Sequence, residues 1–270
     1  MSLAVCATPI GNLDDVTLRV LATLRDADVV LCEDTRRTRI LLDRHAISAP
    51  LVSYHRHNEA QRTSEILPRL QRGELVALAS DAGLPGVSDP GVRLVTAALE
   101  AGVEVTVLPG PSAVETALVA SGLGGCAGYR FVGYLPRSRG ALERALEALA
   151  GPEAAVAFES PRRLPATLAV LAALWPDRAV AVCRELTKRF EEVVRGPARE
   201  LSERFSEPPK GEITLVIAGV ESAGGREADE RMAAVIVTEL VAEGLPRRRA
   251  ADLVARLTGW SPNRLYRGSL

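Results

Sequence analysis

The chain has 270 residues, is 47% hydrophobic and 25% charged, and carries a formal net charge of −1. That is a soluble globular profile, long enough for two α/β domains or one large one, and the balance does not announce a nucleic-acid binder. No apolar run approaches the roughly 20 residues needed to cross a bilayer, and MSLAVCATPIGN lacks the basic region and long apolar core of a leader, so the sequence predicts a cytoplasmic protein.

Leu3 to Ala7 reads as a short apolar strand, followed by the loop Thr8-Pro9-Ile10-Gly11-Asn12. Helical spacing follows from Asp15 to Asp26, with Val16, Val20, Leu21 and Leu24 on one face. Asp28 to Cys32 is the next strand. Glu33 to Arg39 sits at its end, and a helix continues from Ile40 to Ala46. Leu51 to Tyr54 is a third strand, ending at His55-Arg56-His57, and Asn58 caps a helix through Arg72.

The apolar run Leu75 to Ala79 reads as a strand buried on both faces. It leads into SDAGLPGVSDPG, residues 80–91, with three glycines, two prolines and two aspartates before another helix. In open α/β sheets ligands sit beyond the carboxyl ends of the strands, so this loop is the first candidate for a binding site. Val103 to Leu108 completes five strands. Pro109-Gly110-Pro111-Ser112 follows, with Ser112 as N-cap of Ala113 to Ala120. Strands alternating with helices at this spacing predict βαβ units and a parallel sheet over residues 1–115.

A second domain over 116–222 carries strands at Phe131–Leu135, Ala154–Phe158, Arg178–Cys183, Glu191–Arg195 and Glu212–Ala218, with fewer helices, which suggests a mixed sheet. Glu221 to Arg226 reads as a linker. Residues 227–270 form an appendage resembling a helix-turn-helix, with helices at Asp229–Glu243, Arg247–Leu257 and Asn263–Arg267, and with Arg247, Arg248, Arg249, Arg256, Arg264 and Arg267 available to phosphate.

The four cysteines (Cys6, Cys32, Cys126, Cys183) are scattered with no C-x-x-C pair, and three sit in predicted strands, which predicts buried free thiols rather than disulfides or zinc ligands. His55 and His57 would share one face of a strand, but no clustered third ligand accompanies them, and no metal is expected. Of 33 basic residues only Lys188 and Lys210 are lysines, which singles both out as ammonium groups that arginine did not replace.

Carboxylates fall just past four strand ends: Glu33 and Asp34, Asp81, Glu159, and Glu185. Polar clusters repeated at strand ends build a site in this architecture. Arg36 and Arg37, Arg162 and Arg163, and Arg184 accompany three of them, some as ion pairs that orient the loops. The chain has no G-x-G-x-x-G with its acidic partner, no G-x-x-x-x-G-K-[ST], and no G-x-S-x-G elbow. Dinucleotide binding, P-loop hydrolysis and serine hydrolysis are therefore unsupported.

Eight strings in order, ATPIGNLDD (7–15), CEDTRRTRILL (32–42), SDAGLPGVSDPG (80–91), LPGPSAVETALVASG (108–122), FVGYLPR (131–137), FESPRRL (158–164), CRELTKRFEE (183–192) and KGEITLVIAG (210–219), resemble the tetrapyrrole-methylase superfamily, in its ribosomal-RNA-methylating branch. The tail LPRRRAADLVARLTGWSPNRLYR resembles the terminal helical domain of that branch. The resemblance implies a class III methyltransferase: two αβα domains, S-adenosylmethionine in the cleft between them, a homodimer, and methylation of a cytidine 2′-hydroxyl in the decoding region of 16S rRNA. It places Thr8, Pro9, Ile10, Gly11, Asp81, Ala82, Gly83, Ser112, Ala113, Phe131, Leu135 and Leu215 in segments that meet the cofactor. Ala82 and Gly83 stand where other members follow the aspartate with proline.

For such a reaction Glu159 or Glu185 would accept or orient the hydroxyl and Lys188 would stabilise the alkoxide. Arg36, Arg37, Arg162, Arg163, Arg184 and Arg189 would contact the RNA backbone. The same scaffold could serve a methylase of a small tetrapyrrole or of a protein side chain. A nucleic-acid-binding protein without activity is the third reading.

Overall fold

A computed structural model describes residues 3–125, 127–220 and 223–269. Cys126, expected as a buried thiol, and Glu221 and Ser222 of the expected linker lie outside the described residues. The chain divides into two compact units, Met1–Gly219 and Val220–Leu270.

In the first unit five short strands, β1 (Leu3–Cys6), β2 (Val29–Cys32), β3 (Leu51–Ser53), β4 (Val76–Ala79) and β5 (Val105–Leu108), form a parallel sheet in the order β3-β2-β4-β1-β5. Every residue of β1, β2 and β4 is buried, because strand alternation feeds a core on each face. Ala4, Cys6, Val30 and Ala77 meet Val20 and Leu24 of helix α1 (Leu18–Asp26) and Leu41 and Leu42 of α2 (Thr35–Arg44). Leu3, Val29, Leu31 and Leu78 point the other way, onto Ile66 and Leu70 of α3 (Glu59–Gln71) and Leu94 and Ala98 of α4 (Val92–Glu100). Each Val, Leu or Ile among them taken from water contributes about 1.5–3 kcal/mol.

Local capping corrects two of the expected boundaries. Asn12 accepts from the Asp14 backbone and forms a short 3-10 turn, so α1 starts at Leu18, where the Thr17 hydroxyl caps the Val20 N–H. The strand expected to carry the histidine pair ends at Ser53. Asn58 Oδ1 accepts from His55 N at 2.8 Å and turns the chain out of the sheet, leaving the two rings edge to face with centroids 5.9 Å apart.

The second sheet contains β6 (Tyr129–Tyr134), β7 (Ala154–Glu159), β8 (Ala179–Arg184), β9 (Glu192–Pro197) and β10 (Ile213–Ile217), in the order β6-β7-β10-β8-β9. Only β6 and β7 pair in parallel, and the remaining pairs are antiparallel. One face packs on α6 (Arg139–Glu147), α7 (Leu164–Leu174) and a helix the sequence pattern did not reveal, α8 (Ala198–Arg204). The other face receives Val114 and Ala117 of α5 (Ala113–Ser121), and also Ile10 from the loop after β1. That crossing of α5 and Ile10 onto the second sheet joins the two layers and shapes the space between them.

The second unit is three helices, α9 (Ala223–Ala242), α10 (Arg247–Thr258) and α11 (Pro262–Gly268). The start of α9 corrects the expected linker: residues 223–226 are helical, with both glycines in the first turn rather than in the interior, where glycine costs most. Val237, Ala250, Ala251, Val254 and Leu265 form a small core of their own. Among the described residues no helix is long and apolar enough to cross a membrane.

Candidate active site

The loops after β1 and β4, neighbours in the sheet, are tied to each other. Thr8 N donates to Gly83 O at 2.8 Å and Gly83 N returns a bond to Thr8 O at 3.0 Å. The hydroxyls of Thr8 and Ser80 donate to Ser80 O and Gly83 O, both at 3.0 Å. Gly83 sits at φ +81, a left-handed value that glycine adopts without penalty. Gly110, after β5, is confined in a different way: a β-carbon there would lie 2.9 Å from that of Ala7.

Between these loops and the second sheet lies a cleft of about 750 Å³. Its apolar wall is Ile10, Ala82, Leu84, Val114, Phe131 and Leu186. It has a first polar end at Glu33, Arg37, Asp81 and Asp89, beside the ends of β2 and β4, and a second at Ser112, Glu115 and Tyr129, beside the starts of α5 and β6. At the second end Glu115 takes the Ser112 hydroxyl and the Tyr129 phenol, the latter at 2.7 Å, and these two donors hold its carboxyl below the usual range. At the first end Asp81 accepts the Asp34 N–H at 2.9 Å and lies 3.6 Å from the Arg37 guanidinium. Asp34 caps α2 and is gripped by Arg36, whose hydrogen bonds pull its carboxyl down to about 2.

The structure thus brings Ile10, Asp81, Ala82, Gly83, Ser112, Ala113, Phe131, Glu159 and Arg37 to one cleft. Thr8 and Pro9 are buried beneath it. Leu135 and Leu215 are set apart: both are buried in the core on the far face of the second sheet. Strand alternation explains this, since Thr214 and Val216 take the near face of β10 when Leu215 takes the far one.

The three residues expected to do chemistry are more committed than their spacing indicated. Glu159 is buried and accepts from Ser160 N at 2.6 Å, Arg163 Nε at 2.7 Å and the Thr167 hydroxyl at 2.6 Å. Lys188 Nζ lies 2.9 Å from both Glu185 and Glu212. Burial alone would lower the ammonium's pKa, but the two carboxylates outweigh it and raise it above the ordinary value. Glu185 is held low by Lys188 and by the Glu212 backbone N–H. Both Glu185 and Thr187 occupy left-handed φ, +51 and +63, so this turn is strained and kept in place by its contacts.

Of the arginines, Arg163 serves Glu159 and the Leu135 carbonyl, and Arg184 pairs with Glu192. Arg36, Arg37, Arg162 and Arg189 are exposed. Asp89, Tyr134 and Glu212 also line the cleft and were not selected from sequence. Asp89 shares its loop with Asp81, and that shared loop was the one available signal.

The residues present suit a nucleoside carrying an amino-acid chain. The volume falls within the roughly 300–1,000 Å³ of small-molecule sites. Carboxylates stand ready for an ammonium and a ribose diol, glycine backbone allows close approach, and an apolar wall can cover a base.

A parallel sheet joined to a mixed sheet leaves a polar cleft at the strand ends between them. The family model of the tetrapyrrole (corrin/porphyrin) methylases matches residues 2–202, and the chain belongs to that family. Among curated relatives, a protein of Mesorhizobium japonicum called ribosomal RNA small subunit methyltransferase I is 45% identical over 98% of this chain and 90% of its own length. Proteins of the same name from Synechocystis sp. (42% identical, 98% of this chain, 95% of its own) and Thermotoga maritima (44%, 81% and 99%) are similar too. Among solved structures, the methyltransferase CobJ shares the fold with a TM-score of 0.61, at 22% identity over 81% of this chain and 94% of its own. Uroporphyrin-III-C-methyltransferase of Thermus thermophilus does so with 0.57, at 23% identity over 83% and 97%.

Proposed function

We propose that this protein transfers a methyl group from S-adenosylmethionine to the 2′-hydroxyl of a cytidine in the decoding region of 16S rRNA. The observation that carries this reading is the cleft at the ends of β1 and β4 in a chain 42–45% identical, over nearly its whole length, to relatives named for small-subunit ribosomal RNA. The cofactor, when bound, supplies a methyl group on a sulfonium, whose departure needs no further activation. The chain's part is to bind, to align and to manage one proton.

Asp81, Ala82 and Gly83, with Ser112 and Ala113, would hold the cofactor's polar ends, and Ile10 and Phe131 would cover its apolar surface. Buried Thr8 and Pro9 support those loops, and exposed Gly11 seats the loop after β1 against the Thr187–Lys188 turn. The Lys188–Glu185–Glu212 cluster borders the cleft through Glu212 and places a cation near the acceptor. Arg36, Arg37, Arg162 and Arg189 would bind phosphate, as would the arginines of the terminal helices. Residues 1–115 and 116–222 act as two αβα layers with 227–270 as an RNA-binding appendage. The protein works as a cytoplasmic homodimer on the 16S rRNA of the small ribosomal subunit. A tetrapyrrole or protein substrate would give no reason for exposed arginines at several strand ends.

The test is methyl transfer from labelled S-adenosylmethionine to 30S subunits lacking the modification, followed by nuclease digestion and nucleoside analysis. Recovery of 2′-O-methylcytidine is the expected result. Cofactor binding without label in RNA would redirect the search to small-molecule or protein acceptors.

A further inference from the structure

Several carboxylates in the cleft, Asp89 among them, have no task in the scheme above. Asp89 lies on the cleft wall in the loop between β4 and α4. Charged and titratable groups face it from several elements: Glu33 from the end of β2, Asp81 from the end of β4, Arg56 from the turn after β3, and Tyr134 from β6. The residue before it, Ser88, is held at φ +66, which a residue with a β-carbon adopts only when its surroundings insist. Those surroundings are visible. Arg56 Nη2 donates to Ser88 O at 2.7 Å, and the loop abuts β6, where a β-carbon on Gly133 would lie 3.8 Å from Ser88 Oγ.

The other two carboxylates considered for proton transfer are already occupied. Glu159 is saturated by three donors and its side chain has no exposed surface. Glu185 is bound to Lys188 and to Glu212 N and does not line the cleft. Asp89 faces the cavity.

We infer that Asp89 accepts the proton of the acceptor hydroxyl and that Arg56, acting through Ser88, is the residue that positions it. This rests on the methyl-transfer reading above. The hydroxyl O–H bond breaks and its proton passes to a carboxylate oxygen of Asp89. The electron pair left on oxygen forms the bond to the methyl carbon as the carbon–sulfur bond breaks, its pair remaining on sulfur. Asp89 then releases the proton to water. Burial, with the negative charges of Glu33 and Asp81, pushes the carboxyl up to about 6 against the pull of Arg56 and Ser80. A base with that affinity is ionised at neutral pH and still holds a proton well enough to take one.

The experiment compares wild type with Asp89→Asn, Arg56→Ala and Arg56→Lys. Single-turnover methylation of unmodified 30S subunits is followed from pH 5 to 9, and S-adenosylmethionine affinity is measured by calorimetry. Carboxyl NMR of the cofactor-free wild type reads Asp89 directly. The expected Asp89→Asn protein binds the cofactor as wild type does and methylates about 10²-fold or more slowly. The wild-type rate should rise through pH about 6, where the Asp89 carboxyl signal also titrates. Arg56→Ala, lacking the cation, should be slower and should titrate at higher pH, with Arg56→Lys partly restoring both. An arginine that braced the loop without its charge facing Asp89 would not move that titration.

Wild-type transfer with an unimpaired Asp89→Asn overturns the inference while the methyltransferase reading stands. Loss of cofactor binding in Asp89→Asn also overturns it, making Asp89 a cofactor ligand. An Asp89 carboxyl titrating near 4, the ordinary range, overturns it whether or not the variants fold. Cofactor binding without transfer by wild type brings down both readings together.

Discussion

Gly11 and Lys188, far apart in sequence, occupy one another's space: a β-carbon at residue 11 would fall 2.5 Å from Lys188 Cγ and 2.7 Å from the Thr187 hydroxyl. The loop after β1 is thereby seated on the turn after β8, and Asn12 N donates to Thr187 Oγ1 at 3.0 Å across the same junction. Gly11→Ala should push the strained 185–188 turn away. We expect a loss of about 1–3 kcal/mol in urea unfolding, and weaker cofactor binding by calorimetry because Ile10 and Leu186 on either side line the cleft.

Lys188 joins Glu185 and Glu212, and Lys188→Ala leaves two carboxylates facing each other without their cation. All three are partly solvated, so the stability loss should stay near 1 kcal/mol or less. Turnover should fall by tenfold or more with cofactor affinity retained. Full turnover with weakened RNA binding would instead make Lys188 a phosphate ligand.

Glu159→Gln tests whether that carboxylate is structural. It keeps the shape and removes the charge that Arg163 pairs with in a site where the glutamate side chain is wholly buried. The expected cost is about 2–3 kcal/mol in denaturant unfolding. Residual methylation should track the folded fraction, since the chemistry is assigned elsewhere.

Asp89 makes the folded protein's stability depend on pH. Its carboxyl, raised from 3.8 to about 6, binds a proton more tightly folded than unfolded. Its contribution is therefore fully present below pH about 4 and is lost as pH rises through about 6. Asp89→Asn should be more stable than wild type at pH 8, on the order of 1–2 kcal/mol after solvent screening, and the gap should close by pH 4. Thermal melts across that range give the answer.

Arg37 lines the cleft and Arg36 is exposed beside it. Replacing either by alanine should weaken binding to 30S subunits and flatten the dependence of log K on log salt by about 0.7–0.9 for each phosphate no longer neutralised. An unchanged slope would remove that arginine from the RNA surface.

The sequence by itself determined the succession of elements. Strands with fully apolar runs, Gly- and Pro-rich loops and helices of 3.6-residue spacing are local signals, and nearly all of them lie where the spacing predicts. The exceptions are local conflicts: α8 is only seven residues long, too short to show a face, Asn58 ends β3 before the histidines, Asn12 and Thr17 delay α1 to Leu18, and α9 begins inside the expected linker. Membership of the family was also legible, because its loops after the strands are contiguous strings.

Only the tertiary structure decided which of those loop residues share a cleft and which are consumed in holding it. That depends on partners far away in the chain: Asp81 bonds to Asp34, Arg37 approaches Asp81, and Gly11 meets Lys188. The order β3-β2-β4-β1-β5 brings residue 8 beside residue 83, and the antiparallel pairing of β10 with β7 and β8 joins Glu212 to Lys188. The proton affinity of Asp89 likewise arises from its burial among the loops and then from the charges of Glu33 and Asp81, which act through space and not along the chain.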